Sequence, residues 1–79
     1  MGKQNRPISE IAAEIKQDWN KPYFGAVPYL EAMETITNID EMYYSDTAHS
    51  VVAYFLSNAT TWRGETARRV KKELNAMLK

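Results

Sequence analysis

The sequence predicts an all-α domain, a compact bundle of four main helices packed around the third, and three observations carry that prediction. Thr47 to Trp62 contains no Asp, Glu, Lys or Arg in a chain that is 25% charged overall. Within it Ala48, Val51, Val52, Phe55, Leu56 and Ala59 recur at three- and four-residue spacings, the mark of one broad apolar helix face. Thr47, Ser50, Tyr54, Ser57 and Asn58 form a narrow polar stripe at the same period, which a strand would scatter over both faces. Strand is the competing reading, because Val51, Val52, Tyr54 and Phe55 suit a pleated surface. The apolar positions do not alternate, however, and Asp46 is placed to cap a helix. The third helix is therefore expected over 47–58.

Met1 to Arg6 is polar and reads as a disordered tail, leaving 7–79 as a single helical domain. Pro7-Ile8-Ser9 then opens the first helix, expected over 10–20, with Ser9 as N-cap and Glu10 in the first turn, where a negative charge favours the helix dipole. Ile8, Ile11, Ala12, Ile15 and Trp19 follow the helical period, and Glu10, Glu14 and Asp18 share a face expected to be solvated. Pro22 ends the helix by disfavouring the α conformation at Lys21. The connection Lys21-Pro22-Tyr23-Phe24-Gly25-Ala26 sets two aromatic rings between a proline and a glycine. The favoured expectation is that they fold back as a lid on a small core; the functional alternative is an exposed contact site.

Val27-Pro28 starts the second helix, expected over 27–37, since proline is tolerated where its missing N–H has no intrahelical partner. Tyr29, Leu30, Met33 and Ile36 supply its apolar face, and Thr35, Thr37 and Asn38 weaken its end. Asn38 to Ser45 is expected to be an irregular connection with one helical turn, with Tyr43 or Tyr44 packed at the core or its boundary. Thr61 is the expected cap of a final helix over 62–78, whose inward stripe is Trp62, Thr66, Ala67, Val70, Leu74, Met77 and Leu78. Gly64 in its first turn costs about 1 kcal/mol against alanine, which suggests close approach of another backbone. Glu65 to Arg69 and Arg69 to Glu73 are spaced for helical ion pairs. The core is expected to be Val51, Val52, Phe55, Leu56, Val70, Leu74, Ile11, Ile15, Trp19, Leu30 and Met33.

Composition removes several function classes. The chain has no cysteine, so disulfides, thiol nucleophiles and thiolate metal sites are excluded. No apolar run approaches the roughly 20 residues a bilayer demands, and the expectation is a cytoplasmic protein with no membrane partner. The lone histidine, His49, has no companion motif for catalysis or metal binding, and no phosphate cradle or zinc spacing is present. No catalytic residue, metal or cofactor is therefore expected, and the chain is read as no enzyme.

Two binding readings remain. The zero net charge divides into eight acids and two bases over Pro7 to Asp46, a net of −6, and six bases and two acids over Arg63 to Lys79, a net of +4. Arg63, Arg68, Arg69, Lys71 and Lys72 are candidates for contacting nucleic-acid phosphates, although basic helix ends are common simply because cations complement the dipole there. Tyr23, Phe24 and Tyr29 are candidates for a protein interface, which favours aromatic anchors. The segment DWNKPYFGAVPYLEAM (Asp18 to Met33), followed by SVVAYFLSNATTWRGETARRVKKEL (Ser50 to Leu74), resembles small uncharacterised bacterial proteins, some borne by phages or other mobile elements. The resemblance implies a bacterial cytoplasmic setting and brings no activity with it. The leading expectation is a small non-catalytic protein-interaction module with an unidentified protein partner, monomeric or weakly homodimeric. The alternative is an accessory nucleic-acid binder using the basic face of the last helix.

Overall fold

A helix begins with four backbone N–H groups that have no partner within it, and how the chain satisfies them decides where its helices start. The computed structural model describes residues 6–43 and 46–78, with only the backbone of Tyr43. Residues 1–5 of the expected tail over 1–6, and the packing of Tyr43 and Tyr44, lie outside the described residues. Four helices, α1 (Ile8–Asp18), α2 (Val27–Met33), α3 (Ala48–Ser57) and α4 (Glu65–Met77), are joined by short connections, with a two-residue pair of strands, β1 (Met42–Tyr43) and β2 (Asp46–Thr47), before α3. The fold is all-α, as the periodicity predicts.

At α1 the N–H groups of Ile8 and Ser9 donate to the carbonyls of Thr37 and Ile36 at 2.9 and 2.8 Å, and those of Glu10 and Ile11 donate to Pro7. The helix consequently starts two residues before the expected position, and Pro7, not Ser9, is the N-cap, with no side-chain bond. Those acceptors also explain why α2 stops at Met33 rather than near Thr37. Thr35 folds its hydroxyl back onto the Ala32 carbonyl at 2.9 Å, and Ile36 and Thr37 leave the helix to cap α1.

The connection expected to be irregular over 38–45 contains β1, which pairs antiparallel with β2 beyond it, Met42 opposite Thr47 and Tyr43 opposite Asp46. The Glu41 carboxylate accepts from the N–H groups of Thr37 and Asn38 at 3.3 and 3.2 Å, which closes the turn ahead of it. Asp46 is thereby held in a strand and does not cap α3. That role falls to Thr47, whose Oγ1 accepts from the Ser50 N–H at 3.0 Å.

Helix α4 starts at Glu65, three residues after the expected Trp62, because Gly64 adopts φ +116°, a conformation other residues rarely take, and Thr61 lies in a turn. A Cβ on Gly64 meets nothing within 4 Å. Gly64 is thus there for its dihedral and not for close backbone approach.

Every expected core residue is buried except Leu56, which is half-buried against the core edge. Helix α3 packs on α2, while α1 packs on both α2 and α4, so α1 shares the central position expected of α3. Aromatic contacts knit them together. Trp62 stacks on Trp19 with centroids 5.8 Å apart, and Phe55 meets Trp19 edge-on at 6.3 Å. Trp62 lies in the connection before α4, and its indole Nε1–H donates to Asp18 of α1 at 2.8 Å, satisfying the polar handle a buried indole carries.

Candidate functional site

The sequence candidates fall on two separate surfaces. The first is built by the α1–α2 connection. The N–H groups of Ala26 and Val27 donate to the carbonyls of Tyr23 and Phe24 at 2.8 and 3.3 Å, fixing a turn. Ala26 is the residue of this turn that enters the core, fully buried. The two rings are turned outward, Phe24 79% exposed and Tyr23 45% exposed, with centroids 4.9 Å apart. The lid expectation is therefore corrected: Trp19, Phe55 and Trp62 already fill the core, and the rings are left at the surface.

The backbone approach expected at Gly64 is absent there, whereas side chains crowd Gly25. A Cβ there would sit 2.6 Å from the Tyr23 ring and 2.9 Å from Asn58 Oδ1, so a larger residue would have to displace both side chains. Asn58 in turn donates from Nδ2 to the Tyr54 carbonyl at 2.9 Å. Tyr54, 51% exposed, tilts against half-buried Tyr29 of α2 with centroids 5.4 Å apart. Tyr23 and Phe24 thus form one ring pair and Tyr29 and Tyr54 another. Tyr54 was not among the sequence candidates because it belongs to the polar stripe of α3; its signal was a large ring in the outward stripe of a helix without charges.

The second surface is the outer side of α4, and here the structure divides the five candidate cations. Arg69 pairs with Glu14 of α1. Lys71 turns back along the helix, its Nζ donating to the Trp62 carbonyl at 2.7 Å and lying 5.9 Å from that ring's centroid. Burial, and secondarily the charge of Arg63, push the Lys71 ammonium below its ordinary pKa. Arg63, Arg68 and Lys72 are exposed and make no ion pair among the described residues.

Arg69 forms neither of its expected helical pairs, because Glu73 is taken by Arg6, whose Nε and Nη2 donate to the two carboxylate oxygens at 2.9 and 2.7 Å. Arg6 therefore belongs to the fold and not to the tail. Its Nη2 also lies 2.9 Å from Glu14 Oε1, a second ion pair. The Glu10, Glu14 and Asp18 face is correspondingly not simply solvated: Glu14 bridges two arginines and Asp18 holds Trp62. The pairing with Arg69, then with Arg6, pulls the Glu14 carboxyl below the usual carboxylate range.

His49 is exposed, and its Nε2–H donates to the Leu78 carbonyl at 2.9 Å, tying the start of α3 to the end of α4. Among the described residues no three His, Asp or Glu side chains gather as a metal site, and no helix is long and apolar enough to cross a membrane. Comparison with protein families, curated proteins and solved structures finds no match to this chain.

Proposed function

We propose that the chain is a small non-catalytic protein-interaction module that docks a partner protein on Tyr23, Phe24, Tyr29 and Tyr54. The observation that carries this is Phe24, four-fifths exposed on a hydrogen-bonded turn. Burying such a ring is worth about 1.5–3 kcal/mol, and the fold forgoes it. A group of large rings left at the surface is the usual material of an interface, where aromatic anchors dominate binding energy. The partner's contact is expected to be apolar where it meets the rings, since an unpaired charge is costly to desolvate there. The resemblance to small bacterial proteins supports a bacterial cytoplasmic setting, with the free protein monomeric or weakly dimeric.

A photo-cross-linking residue placed at position 24 in bacterial cells tests the reading. One discrete protein adduct, lost when Tyr29→Ala and Tyr54→Ala are added and absent with the cross-linker at position 31, is the expected result. Adducts at position 24 that survive those two substitutions overturn it, as does the same adduct from position 31.

A further inference from the structure

Two shallow clefts lie side by side on the outer surface of α4, and both are lined by Arg68. The first, about 310 Å³, is edged by Arg63, Arg68 and Lys71 and contains no carboxylate. The second, about 490 Å³, is edged by Arg68, Arg69 and Lys72, with Glu65 as its acid. Since Arg69 is already paired with Glu14, the positive charge left to this surface comes from Arg63, Arg68, Lys71 and Lys72. We propose that this strip binds the sugar-phosphate backbone of nucleic acid, without regard to sequence, through those four side chains and not through Arg69.

Lys71 is the most informative of them. Its hydrogen bond to the Trp62 carbonyl holds an ammonium beside the first cleft, near Arg63 and with no acid lining the same cleft. Like charges assembled without a counter-charge repel, and an anion seated between them relieves that repulsion. The row continues past one site: Arg68 and Lys72 are one helical turn apart, about 6 Å along the axis, so the strip suits a polymer of phosphates better than a single one. Of the acids on α1 and α4, Glu14 and Glu73 are paired with Arg69 and Arg6.

The test is fluorescence anisotropy of the full chain with labelled mixed-sequence duplex and single-stranded oligonucleotides, from about 50 to about 200 mM salt. Four phosphate contacts imply a log–log slope near −3.6 on duplex, so a fourfold rise in salt weakens binding by about 150-fold. Arg68→Ala reduces the slope by about one and Arg68→Ala with Lys72→Ala by about two, with helical circular dichroism unchanged, while Lys21→Ala leaves the slope as it was. Absence of binding at the lowest salt overturns the proposal. So does a slope that the α4 substitutions do not move, or equal, equally salt-sensitive binding to phosphatidylglycerol vesicles, which assigns the strip to an anionic membrane surface.

Discussion

Replacing Glu14 with Gln removes the charge that joins α1 to α4, and the structure sets the size of the effect. Glu14 faces two cations, Arg6 and Arg69, and its side chain is 28% exposed against 31% and 56% for theirs. Exposed ion pairs contribute about 0.2–1 kcal/mol each. Partial shielding places these two toward the upper end, so Glu14→Gln should cost about 1–2 kcal/mol at neutral pH. For a domain of this size that lowers Tm by about 5–15 °C, a large part of a total stability of about 4–12 kcal/mol. The pH dependence has a definite sign. The folded-state pKa of Glu14 is lowered from 4.5, so its contribution is complete above the unfolded value and is lost as pH falls through the folded one. Urea denaturation of both proteins at pH 7 and at descending pH should show a gap that closes below about pH 4.5 and narrows in high salt. A gap under about 0.3 kcal/mol at pH 7, or one that persists undiminished in acid, refutes the reasoning.

Phe55→Ala should cost about 3–5 kcal/mol, since the ring is fully buried against Trp19; urea unfolding that loses less than about 1 kcal/mol contradicts the packing. Gly64→Ala should destabilise by about 1–3 kcal/mol through strain alone, although the added methyl meets nothing, and a thermal melt unchanged from wild type contradicts a positive φ there. Asp18→Ala removes the acceptor of the buried Trp62 indole, so a loss of about 1.5–3 kcal/mol should accompany a change in tryptophan emission; unchanged emission means the bond is not made.

What could be read from the chain divides along physical lines. The apolar face of α3 and the stripes of α1 and α4 were legible because period and burial are properties of neighbouring residues. Helix starts were not, where their partners come from afar. Ser9 has the chemistry of a cap, yet the donors at the start of α1 reach the carbonyls of Ile36 and Thr37, and no local pattern encodes that meeting. Arg69 lies four residues from both Glu65 and Glu73, but Glu14 on another helix captures it. Gly64 and Gly25 are the same residue type with opposite reasons, one for its dihedral and the other for space beside Tyr23 and Asn58. Of the interface candidates, Tyr23, Phe24 and Tyr29 were legible as aromatics of a loop and a helix start. Their direction was not, since it depends on how completely Trp19, Phe55 and Trp62 fill the core.

The account turns on whether the Phe24 ring is presented to a partner or helps hold the domain together, and urea denaturation of Phe24→Ser measures that directly. Surface substitutions usually alter stability by less than about 0.5 kcal/mol, and the account predicts a change within that range together with an unchanged far-ultraviolet spectrum. A loss of about 2 kcal/mol or more, the size expected for a ring taken from a core, contradicts it and makes the ring the lid that the sequence first suggests.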